Sequence, residues 1–283
     1  MTIGFIGLGK MGAAMAPQLV KAGHQVVGHD LVPPSASLAG FEFAADLAAL
    51  VDCTTIITML PDGDAVEAVV HSLLSQGCRA AFIDMSSSHP NVSRCLHASL
   101  IGDGQSFIDA PVSGGVARAR NADLQIMAGG EAAAVAMATP LLSTMGQVTH
   151  LGPAGCGHAM KSLNNYVSAA GLIASFEALA TARDLGIAPE KFLEVINSST
   201  GRNNTTEAKI ARYVLSDAYN SGFDLKLMAK DVRIAQSLAS AGGFDGPVIG
   251  AVQQFLEEGL NTLGESADHT ELYLNVAKGR AGS

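Results

Sequence analysis

A short apolar run, Thr2-Ile3-Gly4-Phe5-Ile6, leads directly into three glycines spaced as G-x-G-x-x-G: Gly7, Gly9 and Gly12 in FIGLGKMG. The spacing alone occurs in many loops; its setting narrows it. A strand-type run precedes it and the helix-type pattern MAPQLVKAG follows. The next strand-type run, QVVGH, ends at Asp30, eighteen positions after Gly12. In that setting each glycine has its own duty. Gly7 permits a tight turn, Gly9 lets the main chain approach a pyrophosphate, and Gly12 lets the helix pack closely on the strand. The helix N-terminus then offers amides and a positive partial charge to the phosphates. The chain is expected to open with a dinucleotide-binding unit, with Leu8, Lys10 and Met11 of the same turn also against the cofactor.

Asp30 bears on which dinucleotide is bound. A carboxylate at this strand end accepts hydrogen bonds from the ribose hydroxyls and repels a 2′-phosphate. Leu31 and Val32 bring no arginine to such a phosphate. NAD is therefore expected in preference to NADP, with Leu31 also at the cofactor. An exposed loop-start carboxylate is the plainer alternative for Asp30.

Beyond this unit the first half keeps alternating. TTIITML leads into DAVEAVVHSLLSQG, AAFIDMS into PNVSRCLHASLIG, and QSFIDA, LQIMAG and VTHLG read as further strands. Strands alternating with helices predict an α/β fold with a parallel, doubly wound sheet. Pro17 falls inside the first helix pattern and is expected to bend it locally. From about residue 156 the pattern becomes helical throughout. A long helix over about 156–186, with Met160, Leu163, Val167, Leu172, Phe176 and Leu179 as its buried positions, joins a domain over 1–155 to an all-helical one over 156–283.

Composition excludes several functional classes. A net charge of −9 over 283 residues argues against a nucleic-acid partner. With 48% hydrophobic and 15% charged residues the chain is expected to be folded. The four cysteines form no CxxC pair and the histidines no ligand spacing, so no metal is expected. No targeting pattern and no membrane-length apolar stretch is present, which points to a cytoplasmic protein without a membrane partner.

Three further segments, DAPVSGG (109–115), GHAMKSLNN (157–165) and MAKD (228–231), stand with the opening FIGLGKMGAAMA in the order and approximate spacing of the β-hydroxyacid dehydrogenases. The chain resembles that family, which includes 3-hydroxyisobutyrate dehydrogenase and tartronate semialdehyde reductase, over essentially its whole length. The resemblance implies oxidation of a small anionic 3-hydroxy acid. It makes Lys161 the catalytic acid/base, and Ser113, Gly114, Gly115 and Asn165 the substrate's holders. Lys230 lies near both nicotinamide and substrate, and Met59, Leu60, Pro61, Ser86 and Phe223 lie beside the cofactor. It also implies a homodimer or homotetramer. The chemistry is consistent: a serine hydroxyl with two glycine amides cradles an anion, and a lysine serves as a base when burial or a second cation lowers its pKa. Lys161 and Asn165 stand four residues apart, on one helical face, whereas Asn164 lies around the helix. Residue by residue, plainer readings stay open. Ser-Gly-Gly is also an ordinary turn, a lone lysine is usually a surface charge, and Phe223 is equally a core residue.

Two segments depart from the family pattern. RARNADL (118–124) brings Arg118 and Arg120 where glycines are common, and SSTGRNNTTE (198–207) carries Arg202, Asn203 and Asn204 where a tryptophan is frequent. These changes suggest a polar or polyhydroxylated acid, or one with a second anionic group; a capped, solvated helix start is the alternative. An imine reductase shares the architecture but commonly lacks the lysine. A non-catalytic NAD-binding sensor would need neither Lys161 nor the Ser-Gly-Gly turn.

Overall fold

A computed structural model describes residues 2–33 and 41–278 of the chain. The chain divides into two compact units, Met1–Lys161 and Ser162–Ser283.

The first unit interleaves strands β1 (Thr2–Ile6), β2 (Gln25–His29), β3 (Phe41–Phe43), β4 (Thr55–Thr58), β5 (Ala81–Asp84), β6 (Phe107–Asp109), β7 (Val112–Ser113), β8 (Leu124–Gly129) and β9 (Gly146–Gly152) with helices. These are α1 (Gly12–Lys21), α2 (Gly63–Ser75), α3 (Pro90–Ile101), α4 (Gly115–Arg120) and α5 (Ala132–Leu142). Among the described residues the strands form one sheet, ordered β3-β2-β1-β4-β5-β6-β8-β7, with β9 paired to β8. The chain builds outward from β1 through β2 to β3, returns to β4, and builds the other way. This places a topological switch point between β1 and β4, where open α/β sheets bind ligands.

Side-chain alternation along the strands explains the two cores of this unit. Ile3, Phe5, Ile57, Ile83 and Ile108 pack with Met15 and Leu19 of α1, Ala119 of α4 and Val135 of α5. Their chain neighbours Ile6, Ile56, Phe82 and Phe107 pack instead with Val66, Val70 and Leu73 of α2 and Leu96 and Leu100 of α3. Adjacent residues serve opposite faces because the period of a strand is two.

The α/β class and the doubly wound order agree with the sequence. The sheet is not wholly parallel, however: β8 runs antiparallel to both β6 and β7. Four elements, β3, β7, α4 and α5, have no counterpart in the strand and helix patterns of the sequence. The two strands are only three and two residues long, too short for periodicity to register. In α5 the run AAAVAMATPLL contains Pro140, which disguises it. Proline does not end α1 either, which continues through Pro17 to Lys21.

The second unit is helical. The long helix α6 (Cys156–Asp184) begins within the first unit's residues and is followed by α7 (Pro189–Asn197), a π-helical segment (Thr205–Val214), α8 (Leu225–Ala241), α9 (Pro247–Leu263) and α10 (Leu272–Lys278). Leu172, Phe176 and Leu179 of α6 are buried in its core with Ile210, Met228, Val232, Val252 and Leu256. The expected burial of all six apolar positions of α6 is corrected: Met160, Leu163 and Val167 are exposed. Five residues of helix separate Val167 from Leu172, a rotation of about 140° from one face to another. No described helix is long and apolar enough to cross a membrane, and the described residues hold no cluster of metal-ligating side chains.

Candidate active site

At the carboxyl ends of β1, β2, β4 and β5 lie four of the loops singled out in the sequence. The backbone of Gly7 has φ +98°, a left-handed conformation open to glycine, and a Cβ there would stand 2.2 Å from the Met59 carbonyl oxygen. A Cβ on Gly12 would stand 1.9 Å from the Gly7 oxygen, so the first turn of α1 lies directly on the strand end. Gly9 differs: its Cβ would meet nothing within 4 Å. The middle glycine thus borders open space, which is the fit a closely approaching pyrophosphate requires. No side chain caps the start of α1 at Met11, which leaves that end of the helix to an anion.

Asp30 is part of the same construction. Its carboxylate accepts hydrogen bonds from the Leu8 amide at 2.5 Å and the Val32 amide at 3.0 Å. The Leu8 side chain is buried in the core beneath the turn, whereas Lys10 and Leu31 are exposed and Met11 is half-buried. In the loops after β4 and β5, the Leu60 amide donates to Ser86 Oγ at 2.8 Å. Ser86 is buried and its amide is bound by Asp84, so its hydroxyl fixes the Met59-Leu60-Pro61 loop.

Val112 and Ser113 form the short strand β7, and the turn that follows enters α4 through Gly114 at φ +139° and Gly115 at φ +68°. Lys161 Nζ donates to the Val112 carbonyl oxygen at 2.8 Å. It therefore stands one residue from Ser113 in the chain, at the mouth of the Ser-Gly-Gly turn. Gly115 borders open space.

In the second unit, Asn165 is buried and its side-chain amide donates to Asp231 Oδ2 at 2.5 Å, while its own carbonyl accepts from Asn164. Asp231 holds Asn165 in one orientation. It was visible in MAKD but carried no role there. Lys230, beside it on α8, is half-buried. Phe223 packs against the helical core and stands edge-on to His269, with ring centroids 5.5 Å apart. His269 accompanies Asp268 and Lys209 in a cluster with no sequence signature. Burial pushes His269 down to about 4, helped by Lys209 and opposed by Asp268 and the Phe223 carbonyl bond. Burial likewise lowers Lys209 to about 8, against the pull of Asp268.

The departures from the family pattern are accounted for locally. Arg118 is exposed and pairs with Asp123 at 2.9 Å, Arg120 is exposed, and Arg202 pairs with Glu207 at 3.5 Å. The side-chain oxygen of Asn203 accepts from the Thr205 amide at 2.8 Å, and its amide donates to Ser175. Asn203 thus caps the π-helical segment, and Asn204 is exposed. Arg202 also lines, with Asn197, Ser198, Ser199 and Thr200, an open cavity of about 450 Å³.

Two family profiles cover the chain. One, described as the NAD binding domain of 6-phosphogluconate dehydrogenase, matches residues 2–152; the other, described as NAD-binding of NADP-dependent 3-hydroxyisobutyrate dehydrogenase, matches residues 155–276. A probable 3-hydroxyisobutyrate dehydrogenase of Mycobacterium tuberculosis is 36% identical over 87% of this chain and 88% of its own length. The 2-(hydroxymethyl)glutarate dehydrogenase of Eubacterium barkeri is 33% identical over 91% and 88%. A solved structure of Mycobacterium tuberculosis 3-hydroxyisobutyrate dehydrogenase with L-serine superposes with a TM-score of 0.89 at 32% identity, covering 97% of this chain and 98% of that one.

Proposed function

Because the chain belongs to the β-hydroxyacid dehydrogenases, NAD(P)-dependent enzymes acting on a CH–OH group of a small hydroxy acid, we propose that it interconverts a 3-hydroxy acid and its semialdehyde or keto acid with Lys161 as general acid/base. The observation that carries this reading is the hydrogen bond from Lys161 to Val112, which holds the amine beside the Ser113-Gly114-Gly115 turn. A dinucleotide held by the Gly7–Gly12 turn and Asp30 would supply a hydride acceptor for oxidation and a hydride donor for reduction. Lys161 takes the hydroxyl proton in the first direction and returns it to the carbonyl oxygen in the second. The Ser113 hydroxyl and the amides of Gly114 and Gly115 receive the substrate carboxylate. Asn165, one helical turn after Lys161, is held by Asp231 to hydrogen-bond the substrate.

The cofactor proposed is NAD. Asp30 faces the second-strand end of the site and Leu31 beside it is exposed, so a 2′-phosphate would meet a carboxylate and no cation. Lys230 and Phe223 are proposed to complete the nicotinamide side. The substrate proposed is a polar or second-anion-bearing acid. Its support is a relative named for a hydroxymethylated glutarate. A homodimer or homotetramer is proposed from the exposed Met160, Leu163 and Val167 of α6, to be read by light scattering.

The deciding assay measures NADH and NADPH formation with 3-hydroxyisobutyrate, 3-hydroxypropionate, glycerate, serine, threonate and 2-(hydroxymethyl)glutarate. Turnover lost in Lys161→Ala supports the mechanism; undiminished turnover in that variant overturns it. Preference for 3-hydroxyisobutyrate over every polar acid overturns the substrate assignment.

A further inference from the structure

The tripeptide Phe-Ile-Asp occurs twice, ending β5 and ending β6, and the two copies pair in register: Phe82 with Phe107, Ile83 with Ile108, Asp84 with Asp109. Two carboxylates are thereby set side by side on one face, both with at most 1% exposure. Like charges directly opposite one another are unfavourable, and a buried charge is costly unless it is bonded. The imidazole of His158, with 0% exposure, stands against both. Its Nε2 lies 3.6 Å from Asp84 Oδ2 and its Nδ1 3.8 Å from Asp109 Oδ2.

What these groups bond to is informative. Asp109 accepts from the Gly155 amide at 2.7 Å and the His158 amide at 2.9 Å. These are amides of the start of α6, which a helix leaves without internal partners. A carboxylate at the end of β6 thus anchors the turn from which Lys161 projects. Gly157 makes the close docking possible, since a Cβ there would stand 2.3 Å from the Met127 oxygen and 2.7 Å from the Asp109 oxygen. Asp84 serves the other side: it accepts from Thr58 Oγ1, the Ser86 amide and Ser88 Oγ, each at 2.9 Å. Ser86 in turn receives the Leu60 amide. His158 itself also meets Ser93 of α3, Nδ1 to Oγ at 2.7 Å.

At 3.6 and 3.8 Å the imidazole nitrogens lie beyond hydrogen-bond length from the two carboxylates. The ring therefore bridges the helix start that leads to Lys161 and the loops carrying Leu60 and Ser86 by packing and electrostatic attraction, itself anchored on Ser93. Apolar residues at all three positions would fill the same volume without desolvating polar groups, and the hydrogen bonds of the two carboxylates end on backbone and hydroxyls of the candidate site. We propose that His158 is a positioning residue: through Asp109 and Asp84 it fixes Lys161 relative to the Leu60–Ser86 side of the dinucleotide site, so that proton and hydride transfer share one geometry. The proposal rests on Lys161 being the general acid/base.

The test uses the full-length protein with the acid turned over fastest in the panel above, unlabelled and deuterated at its carbinol carbon. For His158→Leu, kcat is expected to fall by ten- to a hundred-fold, on the order expected of a misplacement near 1 Å. The acid's KM should stay within about threefold and the deuterium isotope effect on kcat should grow. His158→Asn, which retains a donor and an acceptor, should recover part of the loss. Ser93→Ala should move kcat the same way by about fivefold, and decides the matter if the leucine variant does not fold. Unchanged kcat and isotope effect per NAD-binding site, with only a lowered Tm, would overturn the proposal. Lys161→Ala measured alongside separates the two levels: if it is inactive while the His158 and Ser93 variants are normal, only the positioning role fails, and if it is active the underlying mechanism fails too.

Discussion

The Asp30 carboxylate accepts the Leu8 amide at 2.5 Å, tying the end of β2 to the glycine turn that follows β1. One side chain thus shapes the turn and presents a negative charge beside it. Replacing Asp30 with serine and the exposed Leu31 with arginine together should lower kcat/KM for NAD by at least about tenfold and raise it for NADP. Parallel steady-state assays with both dinucleotides check this. A fall with both and no change in their ratio would remove Asp30 from cofactor selection.

Gly9 and Gly12 differ in what surrounds them, so alanine should separate binding from folding. Gly9→Ala places a methyl in open space and should weaken dinucleotide binding by about tenfold or more with Tm nearly unchanged. Gly12→Ala forces a Cβ to 1.9 Å from the Gly7 oxygen and should cost about 1–3 kcal/mol as strain or backbone shift. Fluorescence titration with NADH and thermal denaturation of each variant distinguish the two effects; equal Tm losses would contradict the geometry.

Asn165 depends on Asp231 for its orientation. Asp231→Ala should raise KM for the acid about tenfold and destabilise the chain by about 1–3 kcal/mol, the cost of stranding a buried amide. If Asn165→Ala raises KM and Asp231→Ala does not, the orienting role is wrong.

His269 supplies a pH dependence of stability. Its folded-state pKa, pushed to about 4 by burial and Lys209, lies below the ordinary 6.5. Between those values the unfolded chain binds a proton that the folded chain refuses. Stability from this group is full above pH 6.5 and is lost progressively toward pH 4, at a limiting slope of about 1.4 kcal/mol per pH unit. His269→Gln should flatten Tm over this window. Lys209→Met removes a cation whose own pKa is lowered to about 8; it should raise Tm at pH 7 more than at pH 9.5. An unaltered Tm–pH curve in His269→Gln would assign the acid sensitivity elsewhere.

Much of the candidate site could be drawn from the sequence because its residues lie close together in the chain. Gly7, Gly9 and Gly12 fall within one turn, and their duties follow from main-chain sterics that spacing alone encodes. The strand runs were legible where period two and length sufficed, as at Thr55–Thr58, and not where two or three residues pair, as at β3 and β7. The six apolar positions of α6 expected to be buried illustrate a different limit. Periodicity identified a helix correctly, but the burial of Leu172, Phe176 and Leu179 against the exposure of Met160, Leu163 and Val167 depends on what packs there.

The sequence by itself determined the dinucleotide turn, its distal carboxylate, the alternation that makes the α/β unit and the family to which the chain belongs, since all are written in short-range spacing. Tertiary structure decided the partners of the buried polar groups. Asp109 meets the amides of Gly155 and His158 across 46 and 49 residues, and Asn165 meets Asp231 across 66. The repeated Phe-Ile-Asp was in plain view, but only the β5–β6 register turned it into adjacent carboxylates. Such contacts obey the requirement that buried charge be bonded, and that requirement says nothing of which distant residue will answer it until the strands and helices have packed.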